Sequence, residues 1–444
     1  MGLAGDLRAV GPEGEGRRRM KIWLIKLGEP LPIDATDPRL FRTGMLAREL
    51  VHRGHEVVWW SSTVNHAEKR HRADQDADLL LGDRYRLRLI HAPLYRRNVS
   101  LARIASHRVT ATRFAELARR EAPPDLIVSS LPTAEVSAAA VRFGREFGVP
   151  VVLDVRDLWP DLILDLAPGW ARGAAAMALR SMIRDTKQAC AGADAILGTT
   201  PAFVDWALGY AGRGRRPVDR DFPMAYEARR PSDSAIAAAR LSWAGRGLDP
   251  SRFPEGELIA CYFGAMGRQS ELHTVVDAAR ILRDRRRSIR FVLCGTGDRL
   301  ERLRRRAAGL GNVLLPGWVG AAEIWTLMRA SSVGLAPYAK IPNYVMGMPN
   351  KPVEYLSAGL PVLTGLDGVL ADLLGRHDCG VSYEFGRPDR LADALEALDD
   401  DRSRLAELSV NAWRLYRDRF TADRVFGAMA DHLESLGAAR HVAA

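Results

Sequence analysis

Cysteine and aromatic residues are scarce in this chain: four cysteines, and 7% Phe, Trp and Tyr, among 444 residues. Cys190, Cys261, Cys294 and Cys379 lie far apart, with no Cys-x-x-Cys pair and no histidine at ligand spacing. That excludes a disulfide framework and a structural zinc site, and leaves the four as buried, reduced thiols. No apolar run approaches the roughly 18 residues of a membrane span, and the first residues lack the hydrophobic segment of a secretory signal, so the expected location is the cytoplasm. Aromatic interleaving of basic stretches is missing too, so the formal net charge of +10 does not read as a nucleic-acid surface. Its arginines are spread over helical stretches such as Arg299-Leu300-Glu301-Arg302-Leu303-Arg304-Arg305-Arg306, the pattern of solvated faces. An anionic membrane surface or a diphosphate-bearing substrate explains the excess equally well. No Asp-x-Asp pair falls in a loop suited to a metal, and no metal or cofactor is expected.

What the chain does have is alternation of short apolar runs with amphipathic helical segments, the sign of an α/β fold with parallel sheets covered on both faces. Residues 1–19, rich in Gly, Glu and Arg without periodicity, are expected to be a disordered extension, with Met20 a fitting biological start. Strand-like runs follow at Lys21–Leu27, Val57–Trp60, Leu126–Val128, Val151–Asp154 and Ala195–Leu197. From about Tyr210 to Phe253 the chain turns to Arg, Gly and Pro, with Arg213-Gly214-Arg215-Arg216-Pro217 its most linker-like piece. A second series runs through Leu258–Phe263, Phe291–Cys294, Val313–Leu315, Val333–Ala336, Pro361–Leu363 and Val381–Tyr383. The expected division is an N-terminal Rossmann-like domain over 20–225, a C-terminal one over 226–410, and a closing helical stretch over 411–444.

Within the second series, Met348-Pro349-Asn350-Lys351-Pro352-Val353-Glu354-Tyr355-Leu356-Ser357-Ala358-Gly359-Leu360-Pro361 reads as a helix with prolines in its first turn, Asn350 as cap, and a Gly-x-Pro stop. A cation in that first turn runs against the helix dipole by roughly 0.3–1 kcal/mol, so Lys351 makes sense if an anion sits before the helix. Asn-Lys-x-x-Glu-Tyr-Leu-x-x-Gly-x-Pro-Val resembles the nucleotide-sugar motif of glycosyltransferase family 4. The resemblance implies the GT-B fold, two Rossmann-like doubly wound domains facing a central cleft. It also implies that Glu354 holds ribose hydroxyls, that Lys351 faces the diphosphate, and that the last helix crosses back to the N-terminal domain.

Other loops at strand ends join this reading. Gly264-Ala265-Met266-Gly267-Arg268 offers glycines that let backbone N–H groups near a phosphate, and Arg268 a bidentate contact. Many family members place a cation at the positions of Ala265 and Ser270, which this chain lacks. Gly295-Thr296-Gly297-Asp298 and Pro316-Gly317-Trp318-Val319 match the family's base-binding and nucleoside-binding loops. The family's first acid falls on Met346, so Met346, Gly347 and Met348 are expected to offer N–H groups to the sugar instead. In the N-terminal half, Asp154-Val155-Arg156-Asp157-Leu158-Trp159-Pro160 looks like a signature of the bacterial surface-polysaccharide branch. It implies that Arg156 and Asp157 project into the cleft and orient the acceptor. Ser129-Ser130-Leu131-Pro132-Thr133 is a further candidate for the acceptor side, and Gly28-Glu29-Pro30-Leu31-Pro32 stands where the family has a glycine-rich loop. His66, Lys69, Arg70, His71 and Arg72 form a basic loop expected to meet a lipid diphosphate or the membrane surface.

The expectation is a retaining, metal-independent glycosyltransferase of front-face mechanism. Its partners are a nucleotide sugar, most plausibly UDP-linked, and a glycan or lipid-diphosphate acceptor at the cytoplasmic face of the cell envelope, with no nucleic acid. Lys351, Arg268 and the Gly267 amide are the groups expected to stabilise the leaving diphosphate. Two other readings use the same residues: a nucleotide-sugar epimerase of GT-B fold, and a non-catalytic basic adaptor.

Overall fold

The computed structural model describes residues 18–35, 38–98, 100–165, 167–248 and 256–442. Apart from residues 18 and 19, the extension expected to be disordered lies outside them. The chain forms two compact units, one running up to Phe222 and resuming at Phe426, the other spanning Pro223–Val425.

Strands of the first unit are β1 (Lys21–Ile25), β2 (Glu56–Ser62), β3 (Val64–Asn65), β4 (Arg70–His71), β5 (Ala77–Gly82), β6 (Tyr85–Ile90), β7 (Leu126–Ser130), β8 (Val151–Val155), β9 (Ala195–Gly198) and β10 (Arg220–Asp221). Eight of them make one sheet in the order β10-β9-β8-β7-β1-β2-β6-β5, parallel except for β5, while β3 and β4 form a separate small hairpin. Of these, β1, β7 and β8 are apolar and buried on both faces, which is what helices on either side require. Trp23, Trp60, Phe114 and Phe143 interlock beneath this sheet, with Trp23 and Trp60 edge to face at 5.2 Å. The β5–β6 hairpin was not expected. Its signal is the two-residue alternation of Arg86-Leu87-Arg88-Leu89, in which the leucines are buried while the arginines pair with Asp78 and Glu121.

The second unit has β11 (Leu258–Phe263), β12 (Ile289–Cys294), β13 (Val313–Gly317), β14 (Val333–Ala336), β15 (Val362–Thr364) and β16 (Gly380–Ser382). Its sheet is parallel throughout, in the order β13-β12-β11-β14-β15-β16. Numbered from its own first strand, that is the 3-2-1-4-5-6 order of a Rossmann fold, whose direction reverses between β11 and β14.

Two boundaries differ from expectation. Residues 213–217 are not a linker: Asp219, buried, accepts from the Arg213 guanidinium at 2.6 and 2.8 Å and from the Arg216 and Ile196 amides, pinning this loop beside β9. The return to the first unit begins at Phe426, not near 411. The helix Arg402–Arg419 stays with the second unit, where Ser409 Oγ donates to the Gly359 carbonyl. The last helix, Ala422–Val442, is held on the first unit by Arg53, which pairs with Asp431 and Glu434, and by His55 Nε2, 3.0 Å from Glu434.

Candidate active site

At the switch point of the second unit, glycine backbone fits one strand end against the next. Gly264 follows β11 with φ 149°, and a Cβ there would lie 2.0 Å from Lys351 Cε. Gly295 follows β12 with φ 142°, and its Cβ would lie 1.8 Å from the Gly264 carbonyl oxygen. Backbone bonds stitch the loops into one surface: Gly264 N–H to Cys294 O at 3.0 Å, Met266 N–H to Thr296 O at 2.8 Å, and Gly295 N–H to Gly317 O at 2.7 Å. These amides are therefore consumed inside the protein. Gly264 and Gly295 contribute space and close approach, and not the N–H donors expected of them. Gly297 packs against the Met266 carbonyl in the same way, whereas Gly267 meets only ordinary contacts near 3.5 Å.

Lys351 stands on the helix Asn350–Ser357, beyond the end of β14. Pro349, with extended backbone, is the N-cap, and Asn350 is the exposed first helical residue, so the expected Asn350 cap does not form. The helix closes as a Schellman motif, with Gly359 N–H bonded to Leu356 O and Leu360 N–H to Tyr355 O. The Lys351 side chain fills the space left by Gly264 and lies over two buried aromatic rings, with Nζ 5.8 Å from the centroids of both Tyr262 and Tyr338. Burial pushes the Tyr262 hydroxyl up to about 12 and raises Tyr338 well above its usual range, so both rings stay neutral beneath the ammonium. Glu354, one turn along and buried, shares the helix face of Lys351. Tyr355 sets the position of this helix: its ring lies where a Cβ on Gly334 of β14 would sit, 2.3 Å away.

Around this centre, Arg268 is exposed on the β11 loop. Ser270, where the family often has a cation, is buried and 3.2 Å from the Tyr262 hydroxyl. Trp318 is 73% exposed beyond β13, while its neighbour Val319 is buried in the core. Met346 does not offer its amide, which donates to the Pro342 carbonyl at 2.8 Å; Met348 packs into the core, and Gly347 beside it is buried. The tyrosine floor was not anticipated, because Tyr262 and Tyr338 stand 76 positions apart and neither belongs to a loop motif.

In the first unit, Arg156 is not the cleft-facing cation expected. It is buried, with Nε 2.7 Å from Asp154 Oδ2, and its terminal nitrogen bonds Glu29 and, at 2.9 Å, Thr43. Arg42 grips the same Asp154 through two bonds of 3.0 and 3.1 Å. Two guanidinium groups and two carboxylates thus close a buried lattice. Burial pushes the Asp154 carboxyl up, but the charges and hydrogen bonds of Arg42 and Arg156 outweigh it and hold the group well below the usual carboxylate range. Asp157 is half-buried beside this lattice and acts electrostatically on Lys26, Arg103 and Arg156. Lys26 is buried at the end of β1, donating to the Leu131 carbonyl at 3.1 Å, and burial and then Arg156 push it down to about 8. The basic loop is only partly solvated. The Arg72 side chain is buried against Asp34 at 2.6 and 2.7 Å, His71 stacks on His91, and the exposed Arg70 pairs with Glu68. Among the described residues no three His, Cys, Asp or Glu side chains converge as a metal site, and no helix is long and apolar enough to cross a membrane.

Residues 41–219 match the glycosyl transferase 4-like domain, and residues 248–414 match glycosyl transferases group 1. A GDP-mannose-dependent alpha-(1-6)-phosphatidylinositol monomannoside mannosyltransferase of Mycobacterium tuberculosis is 25% identical over 305 residues, covering 62% of this chain and 78% of the relative. Among solved structures, the sucrose-phosphate synthase of Thermosynechococcus elongatus superposes with a TM-score of 0.69 at 17% identity, covering 95% of this chain and all of the other. Anabaena HepE in complex with UDP-glucose gives 0.63 at 16% identity, covering 94% of this chain and all of the other. The fold is GT-B, with two Rossmann-like units. With one family match in each unit, the chain belongs to glycosyltransferase family 4 and is an enzyme that transfers sugar from a nucleotide-sugar donor.

Proposed function

We propose that the protein is a retaining, metal-independent glycosyltransferase that carries a sugar from a nucleoside diphosphate to a glycan or lipid-linked acceptor of the cell envelope. The observation that carries the donor half is Lys351, laid into the space of Gly264 at the switch point where a Rossmann sheet receives its ligand. There its ammonium suits a diphosphate, with Arg268 as a second cation and Glu354 as the acceptor of ribose hydroxyls. The exposed face of Trp318 suits the base. As the bond from the sugar C1 to the β-phosphate oxygen breaks, the acceptor oxygen bonds C1 from the same face. The hydroxyl proton passes to the departing phosphate, where Lys351 and Arg268 stabilise the charge that develops. Asp157 and Lys26, at the strand ends of the first unit, are the groups proposed to orient the acceptor. The relative named for GDP-mannose and the neighbour solved with UDP-glucose make both nucleotides candidates, and UDP is the one proposed.

Contact with an anionic membrane is supported on a surface other than the basic loop. Arg108, Ala178, Arg180, Ser181 and Arg184 line an open cavity of about 460 Å³, and Trp170 and Met177 nearby in sequence are 90% and 72% exposed. Arginines beside exposed apolar side chains suit a headgroup interface.

Thermal-shift measurement with UDP- and GDP-sugars tests the donor site. The intact protein is expected to be stabilised by one series, and Lys351→Ala and Glu354→Ala to lose that shift while keeping the unliganded melting temperature. Absence of stabilisation by any nucleoside diphosphate overturns the reading. Retention at C1 is read from the anomeric configuration of the product. Activity is expected to survive a chelator.

A further inference from the structure

Behind the β3–β4 hairpin, the first unit gathers two cations, Lys69 and Arg103, that make no direct ion pair with a carboxylate among the described residues. Lys69 sits at the hairpin tip with φ 56°, a left-handed conformation that a lysine rarely adopts and that fixes where its side chain leaves the chain. Its Nζ lies 5.2 Å from the ring centroid of Tyr95 and 3.5 Å from His66 Nδ1. Arg103 approaches the same ring, with Cζ at 5.8 Å, and its Nε is 3.4 Å from His107 Nε2. The oxygens these cations reach are neutral: Asn98 Oδ1 at 2.5 Å from Lys69, and the Asn98 carbonyl at 2.7 Å from Arg103. Among the described residues neither cation has a carboxylate within hydrogen-bonding distance. The Tyr95 hydroxyl, 2.7 Å from His66 Nδ1, points to the same place. Both cations remain partly open to solvent.

We propose that Lys69 and Arg103, with the Tyr95 hydroxyl and His66, form a binding site for a phosphate group carried by the acceptor. This rests on the reading that the first unit holds the acceptor. A phosphate supplies what the cluster lacks, a compact anion able to bridge an ammonium and a guanidinium while accepting a phenol hydrogen bond. The electrostatics agree. Burial and then the charge of Arg103 lower the Lys69 ammonium, burial lowers Arg103 despite the opposing charges of Asp157 and Glu135, and burial followed by Arg103 and Lys69 pushes His66 down to about 3. Each is a cost that a bound anion reverses. The Arg72–Asp34 pair next to this cluster is already neutralised and has no part in the site.

The test uses the full chain in a Lys351→Ala, Arg268→Ala background, so that pyrophosphate meets neither of the proposed donor-site cations. Calorimetric titration with pyrophosphate is expected to show one site, weakened at least tenfold by Lys69→Met and by Arg103→Met. Because Arg103 is the more buried of the two, Lys69→Met is the variant least exposed to misfolding. With Lys351 and Arg268 restored, both variants are expected to keep the nucleotide-induced thermal shift. Displacement of pyrophosphate by a hexose phosphate or by short-chain phosphatidylinositol supports the site and distinguishes a soluble acceptor from a lipid one. Undiminished pyrophosphate binding in Lys69→Met, or displacement by neither compound, overturns the proposal while a retained nucleotide shift leaves the donor reading standing. Loss of that shift from the intact protein strikes the donor reading instead.

Discussion

In the second unit the strand ends are finished with glycine and backbone hydrogen bonds, and a single lysine is laid into the gap; in the first they are finished with ionised side chains that neutralise one another in the interior. Gly264, Gly295 and Gly297 bring loops within contact of each other, so Lys351 reaches the switch point over neutral tyrosines. Asp154, Arg42, Arg156 and Glu29 fix the loops after β1 and β8 by charge. The difference fits the proposed division of tasks, donor in the second unit and acceptor in the first. A diphosphate is recognised by close approach and one or two cations, and glycine makes close approach possible. An acceptor that varies between enzymes needs loops held firmly by something behind them, and a buried charge lattice does that without presenting its own members to the ligand.

The largest effect is expected where the lattice is cut. Arg42→Met leaves the buried Asp154 carboxylate with one guanidinium fewer and should lower the unfolding free energy by roughly 3–5 kcal/mol, measured by urea denaturation. A loss below about 1 kcal/mol would show that the lattice does not hold the first unit together.

Next comes the glycine seam. Gly264→Ala introduces a Cβ at φ 149° and 2.0 Å from Lys351 Cε, so about 1–3 kcal/mol of strain and displacement of the lysine are expected, with turnover falling on the order of 10²-fold. Gly267→Ala, where contacts are ordinary and the N–H is kept, should change stability by no more than about 0.5 kcal/mol. Equal turnover in the two variants would break the contrast between a glycine that makes room for the lysine and one that does not.

Acid separates the units more gently. Burial pushes the Asp219 carboxyl up, but the Arg213 hydrogen bonds and the Arg216 and Ile196 amides outweigh it and hold the group at about 2; Asp154 is likewise held low. Because the folded values lie below the unfolded one near 3.9, this stabilisation is complete above that pH and is lost as pH falls toward about 2. Circular dichroism should show unfolding over that window, and Arg213→Met should move it to higher pH. A profile that Arg213→Met leaves unchanged would remove Asp219 from the account.

Smallest is Trp318→Ala. At 73% exposure the ring adds little to the fold, so stability should stay within about 0.5 kcal/mol. Loss of stacking should weaken nucleotide binding by about 3–10-fold in a titration. A destabilised variant with unchanged affinity would reassign Trp318 to packing.

Much of the second unit was legible because its signals are local. Apolar runs of four to six residues became buried strands at β11 and β14 with the expected bounds, and the Pro-Asn-Lys-Pro stretch opened a helix where expected. Within that helix, the cap fell on Pro349 and not on Asn350: Pro349, its φ held near −64° with ψ at 162°, takes the extended conformation of a cap, and Asn350 is already helical. In the first unit the strands were equally plain, yet the role of Arg156 was not. Asp154 and Arg42 are 112 positions apart, and Glu29 and Arg156 are 127 apart, so nothing in either segment announces its partner.

The order of residues by itself determined two sheets of parallel strands, their helices, and the loops at which polar groups would gather, because periodicity and turn chemistry act over a few residues. Tertiary structure alone decided which of those groups face outward. It turned Arg156 inward to meet Asp154 and Glu29, spent the amides of Gly264 and Gly295 on neighbouring loops, and left Lys351 lying across the seam. A buried charge takes whichever opposite charge the fold brings within reach, and a backbone N–H takes the nearest carbonyl, and both choices are made only when distant strands come together.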